Sequence, residues 1–355
     1  MTRLPMQNAL PPAGRKIPID ETFYGKRRIF AFFLICCALL IAAVAITSLL
    51  ASRGGSLWFE RGEDEKEGVG ETGDATLENT APELPPTPSE AVIPEGAIPI
   101  FSRDLSYLSR GEGYLLNETP YAPDLAALLQ WDVSLRSSAA EGPRVLILHT
   151  HTSEGYLPAG SAYIEGAIGD AVYTKNSEQN VISVGETLCR ILNEKGITAM
   201  QCTVMHDDPT LSGAYERSAE TVRTYLERYP TIELVIDLHR DAVQSADGAY
   251  VRSEGIYDGE ATAQVMAVVG TDANGTPFDN WQQNLALALQ LRHALNQDGN
   301  SLGRPVYLRN ASFYQELAPR ALLLEIGSAA NSPEEASRAA EAVGKALASL
   351  LCDQS

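Results

Sequence analysis

Five histidines occur in 355 residues, and two of them, His149 and His151, stand one threonine apart in VLILHTHTSE (145–154). A third, His239, follows LVIDL (234–238) and leads into Arg240 and Asp241. Glu325 follows ALLL (321–324). Neutral imidazole and carboxylate are good zinc ligands, and a catalytic zinc keeps three protein ligands and one open position for water. Such a metal acidifies its water, and a nearby carboxylate can accept the proton. A single histidine at a strand end is more often a hydrogen-bonded structural group. Here two remote apolar runs end in histidine and a third ends in glutamate, and that matching placement favours a metal centre. His293, on an amphipathic pattern, reads as structural. His206, in VMHDDP, reads as structural or substrate-facing. No HExxH helix is present. The HRD at 239–241 matches a kinase catalytic loop in letters only, because the following Asn, the DFG and the glycine-rich loop are all missing.

These residues need elements to hold them. VLIL is a continuous apolar run of strand length. VISVGETLCRILNEKG (181–196) has helical spacing and a glycine stop. ITAMQCTV (197–204), ELVIDLH (233–239), QVMAVVGTD (264–272) and ALLLEIG (321–327) read as strands. AYERSAETVRTYLERY (214–229) and NWQQNLALALQLRHALNQ (280–297) read as helices. SPEE (332–335) opens a last helix, with Ser332 as cap, Pro333 at the first position and Glu335 closing a capping box. Alternating strands and helices predict an α/β sandwich with a largely parallel sheet. In such sheets ligands gather at the carboxyl ends of strands. No internal repeat is visible.

The rest of the chain is differently made. A net charge of −19 disfavours nucleic-acid binding. The five cysteines show no CxxC spacing, which argues against a cysteine zinc knuckle. Residues 29–52 carry no charge and are long enough to span a bilayer. Six Lys/Arg precede them, so the N-terminal tail, 1–28, is expected in the cytoplasm. A cleaved signal peptide is the competing reading, but the apolar run is longer than a usual signal core. Residues 53–99 are acidic and rich in Gly and Pro, the composition of a disordered linker. Residues 100–355 are the expected catalytic domain.

With HTHTSEGY, IDLHRDA and LLLEIGSAANSPEEA in this order, and NVISVGETL at 180–188, the chain resembles the stage II sporulation protein P family over roughly residues 100–352. That family consists of membrane-anchored peptidoglycan hydrolases of spore-forming bacteria, related to zinc-dependent N-acetylmuramoyl-L-alanine amidases. The resemblance implies an amidase-like three-layer sandwich behind one transmembrane helix and a disordered linker. It implies zinc as cofactor, held by His151, Glu178 and His239, with Glu325 as the catalytic carboxylate. Glu154 is the competitor of Glu178, and His149, Arg240 and Asp241 are supporting groups or alternative ligands. It further implies cleavage of the muramoyl–L-alanine amide during septal thinning and engulfment. The catalytic domain would lie outside the cytoplasm at the sporulation septum, with stage II sporulation proteins D and M as partners. Endopeptidase action on stem cross-links and a non-catalytic wall-binding scaffold are the alternative readings.

Overall fold

The computed structural model describes residues 93–106, 114–136, 141–165, 172–245 and 248–352. The apolar run at 29–52 and nearly all of the acidic stretch lie outside these residues. Among the described residues no helix is long and apolar enough to cross a membrane.

Eleven strands are described: β1 (Ile98–Arg103), β2 (Leu115–Asn117), β3 (Val145–Leu148), β4 (Tyr163–Ile164), β5 (Ala199–Gln201), β6 (Leu234–Asp241), β7 (Tyr250–Tyr257), β8 (Glu260–Ala263), β9 (Val265–Gly270), β10 (Val306–Arg309) and β11 (Ala321–Ser328). Four long helices accompany them: α1 (Val181–Glu194), α2 (Ala214–Arg228), α3 (Trp281–Ala294) and α4 (Pro333–Leu351). The main sheet has the order β2-β10-β9-β11-β6-β3-β5. Every neighbouring pair in it is parallel except β9 and β11. The expected largely parallel sheet is therefore present, with one inverted neighbour. A second sheet, β4-β1-β7-β8, was not expected from the sequence.

Helices cover both faces of the main sheet. Alternation along β3 and β6 sends Val145, Ile147, Leu234, Ile236 and Leu238 into one core with α1, α3 and α4. It sends Leu146, Leu148 and Val235 to the other face, against Ala219 and Val222 of α2. Strands buried on both sides need apolar residues at every position, which is why VLIL shows no polar alternation. Each fully buried aliphatic side chain contributes about 1.5–3 kcal/mol. The capping box on α4 forms as read: the Ser332 hydroxyl accepts from the Glu335 N–H, and the Ser332 N–H donates to the Glu335 carboxylate.

One close approach fixes the helix beside the first histidine. A Cβ on Gly185 of α1 would lie 2.7 Å from His149 Cε1 and 2.5 Å from the Gln201 side-chain nitrogen. Only glycine lets α1 lie that close to this part of the sheet.

Candidate metal centre

β3, β6 and β11 run parallel, so their carboxyl ends share one edge. There the chain leaves β3, turns, and brings His151 back three residues before Glu154. One ligand atom each from His151, Glu154 and His239 lies within 4.8 Å of the others. The Glu154 carboxylate sits between the two imidazoles. Its Oε1 is 3.2 Å from His151 Nδ1, and its Oε2 is 3.2 Å from His239 Nδ1. The two rings meet edge to face at 5.0 Å. The Arg240 backbone N–H donates to Glu154 Oε2 at 3.1 Å and fixes the carboxylate from below.

The charges are mutually dependent. Burial opposes ionisation of Glu154, but His239, His151 and Arg240 outweigh it and hold the carboxyl well below its usual range. Burial likewise opposes a charge on His239, and Asp237 and Glu154 reverse that, holding it well above its usual value. Asp237 Oδ2 lies 2.9 Å from His239 Nε2, though their alignment does not make a hydrogen bond. Asp237 is anchored in turn by the Thr150 N–H at 2.8 Å and the Thr150 hydroxyl at 2.7 Å.

This donor set fits zinc. Tetrahedral ligands with bonds of about 2.0–2.1 Å stand about 3.3 Å apart, close to the two imidazole–carboxylate separations. A carboxylate behind the outer nitrogen of a ligand histidine is the usual means of orienting it.

Glu325 completes the edge. It is paired in register with His239 across β11 and β6. The register slips between Glu325 and Ser328, so Glu325 is the last residue before an irregularity that bends the strand, a common device beside active sites. Its side chain partly reaches the surface, but Oε2 is buried with no hydrogen-bond partner. Burial pushes this carboxyl up to about 8, against the pull of His239.

Several residues singled out by sequence lie elsewhere. Glu178 is exposed in the turn before α1 and is not in the cluster; Glu154 occupies the place expected of it. The reason is the tight turn at 151–153, which makes His151 and Glu154 neighbours. His149 is fully buried and faces α1. Its Nδ1–H donates to the Leu238 carbonyl at 2.8 Å, its Nε2 meets the Gln201 amide at 2.9 Å, and burial lowers its pKa to about 4. Asp241 pairs with Arg304 at 2.7 Å, away from the cluster. Arg240 ties two loop carbonyls, Gly155 and Val172, with its guanidinium. His206 is buried between the His149 carbonyl and Thr221. His293 is exposed on α3.

Asp237, Thr150, Tyr215 and Tyr314 were not singled out. Asp237 carried a legible signal: a charged residue two positions before His239 in an otherwise apolar strand points to the same side. Tyr215 packs edge-on to His151 at 5.5 Å. Tyr314 contacts the Thr150 hydroxyl at 3.0 Å and follows Phe313 in a left-handed backbone pair, φ 51° and 49°. Bulky residues there cost of order 1–3 kcal/mol each, and nothing in their sequence announces it.

Fold and centre together define an α/β protein with a candidate His–Glu–His metal site at the carboxyl edge of its sheet. The chain belongs to the Stage II sporulation protein P (SpoIIP) family, whose model matches residues 65–348. The match starts inside the acidic stretch, earlier than the motifs alone indicate. Stage II sporulation protein P of Bacillus subtilis (strain 168) is 28% identical over 220 residues, covering 59% of this chain and 51% of that protein. The match thus spans about half the length of the curated relative. Similar solved structures include N-acetylmuramoyl-L-alanine amidase AmiC2 of Nostoc punctiforme, 16% identical with a TM-score of 0.35, covering 59% of this chain and 97% of that one. The catalytic domain of the amidase CwlV from Bacillus (Paenibacillus) polymyxa var. colistinus is 14% identical, also with a TM-score of 0.35, covering 58% and 97%. Likeness at that level is too distant to bear on activity.

Proposed function

We propose that the chain is a zinc-dependent peptidoglycan hydrolase of sporulation that cuts the amide between N-acetylmuramic acid and L-alanine. The observation that carries this reading is the buried Glu154 carboxylate shared by two imidazoles, with the partnerless Glu325 oxygen on the adjoining strand. Family membership supplies the sporulation context. His151, Glu154 and His239 hold the metal. A zinc ion there would polarise the scissile carbonyl and acidify the attacking water.

The chain's own groups do the rest. Asp237 holds the outer nitrogen of His239 and keeps the ring oriented. Arg240 holds Glu154. Glu325 takes the proton of the attacking water and delivers it to the leaving amine nitrogen. Its raised pKa suits a group that must carry a proton through that exchange, and a neighbouring cation favours the ionised form needed at the start. His151, the most open of the three at 28% side-chain exposure, marks the side from which substrate arrives. The apolar run at 29–52 would anchor the chain, with the linker placing the domain outside the cytoplasm within reach of the septal wall. Stage II sporulation proteins D and M are the proposed partners there.

Mass spectrometry of fragments released from purified sacculi by the full-length protein tests the reading. It expects peptides with a new N-terminal alanine and glycan strands with free muramic carboxyls. Glu325→Gln should cut them about 10²–10⁴-fold more slowly with zinc retained. Fragments split only at peptide cross-links would replace amidase with endopeptidase, and near-normal turnover by the variant would remove Glu325 from catalysis.

A further inference from the structure

Three tyrosines stand close to the centre, and two of them are committed to the fold. Tyr156 donates to the Ile326 carbonyl at 2.9 Å, and Tyr314 contacts the Thr150 hydroxyl at 3.0 Å. Tyr215 differs. It is half-buried, and its hydroxyl has no hydrogen-bond partner among the described residues. Its ring stands edge-on to His151, with centroids 5.5 Å apart. The charges that bear on its hydroxyl are those of His239, Asp237, Glu325 and Glu154, so the hydroxyl faces the centre. Its place is fixed. Tyr215 is the second residue of α2, and the Ser218 hydroxyl, one turn on, donates to the Ala214 carbonyl and meets the Thr150 hydroxyl, both at 2.8 Å. That ties the start of α2 to the residue before His151. Phe313 and Tyr314 set tilted rings against Tyr215, each at 6.0 Å. They are the left-handed pair, and strained backbone of that kind clusters at active sites.

Packing does not explain the hydroxyl. A phenylalanine would fill the same space against His151, Phe313 and Tyr314. A phenol carries its proton at neutral pH, so Tyr215 presents a hydrogen-bond donor with no acceptor in the described protein. Amide hydrolysis creates an acceptor for it. As water attacks the carbonyl carbon, the π pair of the C=O bond moves onto oxygen, which becomes negative. Glu325 cannot donate to that oxygen while it is ionised to take the water's proton. A rigid, neutral donor already aimed at the place where charge develops needs no reorganisation during the reaction, which is why such donors are effective.

We propose that Tyr215 is a further catalytic residue, whose hydroxyl donates a hydrogen bond to the oxygen of the scissile carbonyl as that oxygen becomes negative. The proton stays on the phenol. When the C–N bond breaks, the pair on oxygen re-forms the carbonyl and Glu325 protonates the leaving amine. The proposal rests on the hydrolase reading above, but it holds for whichever wall amide is cut. Its test compares the full-length parent with Tyr215→Phe, which keeps the ring, on soluble peptidoglycan fragments. The turnover number should fall about 10²–10³-fold, the usual cost of one such donor, with KM within about twofold and zinc content unchanged. Binding gives a second readout. A phosphinate that replaces the scissile carbonyl and nitrogen with a tetrahedral PO₂ group and CH₂ should bind Tyr215→Phe more weakly by about the same factor. The uncut fragment should bind Glu325→Gln and Glu325→Gln/Tyr215→Phe alike. Near-parental turnover, a loss confined to KM, equal affinity for the phosphinate, or a defect that added zinc restores would each overturn the assignment while leaving the hydrolase reading in place. A parent protein that cuts no wall amide would refute that reading and this inference together.

Discussion

Two ends of one irregular stretch of β11 treat buried polar atoms in opposite ways. At Ser328 every group is paired. Its N–H donates to Asn331 Oδ1 at 2.8 Å and its hydroxyl to the Val251 carbonyl at 2.6 Å. Asn331 Nδ2 donates to the Ser253 carbonyl at 3.1 Å and to Glu335 at 2.9 Å. Three residues earlier, Glu325 Oε2 is buried without a partner. Buried polar groups that only hold a fold together are saturated, because each unmet one costs about 1–3 kcal/mol. An open atom alone marks no site, since Asp207 Oδ1, Asn284 Nδ2 and Glu316 Oε2 are open too; Glu325 differs because it is paired in register with His239. The Ser328 corner joins the two sheets to α4, and the Glu325 corner adjoins the candidate metal centre.

The sharpest way to test that division is to take a ligand from the open corner. Glu154→Ala should lose zinc by far more than the roughly 10–100-fold that loss of an outer partner costs, while Glu178→Ala stays fully loaded in the same elemental analysis. Zinc loss in the Glu178 variant instead would return that residue to the ligand set. Next comes the saturated corner. Asn331→Ala strands the Ser328 N–H and takes one of two donors from the Ser253 carbonyl, which keeps the Gln264 N–H, and urea unfolding should show a loss of about 1–3 kcal/mol, with zinc stoichiometry unchanged in the folded fraction. A loss below about 0.5 kcal/mol would mean the network is ornamental. The smallest effect concerns pH. Glu325 is raised from 4.5 to about 8 in the native state. The native chain therefore keeps a proton here that the unfolded chain releases, so the contribution of this one carboxyl to stability is fully present below pH 4.5 and is lost as pH rises towards 8. In chelator-treated protein Glu325→Gln removes that loss. Its advantage over the parent should grow by about 1–2 kcal/mol between pH 5 and pH 8, after allowance for solvent reaching part of the side chain. A pH-independent difference would show that the carboxyl is not raised.

Much of this was legible from periodicity. The strands leading into His149, His239 and Glu325 are apolar runs broken only by Asp237, as burial on both faces requires. Which histidine of HTH turns to the centre was not legible. Alternation out of β3 sends His149 towards α1, and only the turn at 151–153 brings His151 round. The same turn brings Glu154 rather than Glu178 beside the two histidines, and turns of that kind depend on distant partners such as Asp207, which accepts from the Ser153 N–H at 2.8 Å. The second sheet was missed although it carried a cue. Asp258-Gly259 between β7 and β8 adopts two left-handed residues, φ 51° and 83°, the signature of a tight hairpin. The preceding residues alternate weakly because the inward positions of β7 hold the small Ser253 and Gly255 while the apolar Ile256 is exposed.

The strand order has a consequence for how the protein is made. β11 stands between β9 and β6, at the middle of the main sheet, yet it is the last of the described strands. A nascent polypeptide that stops short of residue 321 has His151, His239 and Glu154 but no strand to join its two half-sheets. The β9-β10-β2 half and the β6-β3-β5 half can each form early, and neither can reach the other until β11 is threaded between them. Such long-range closure is slow and exposes unpaired edges while it waits. A chain assembled in this order acquires Glu325 and its sheet centre together, after His151, Glu154 and His239 have all been made.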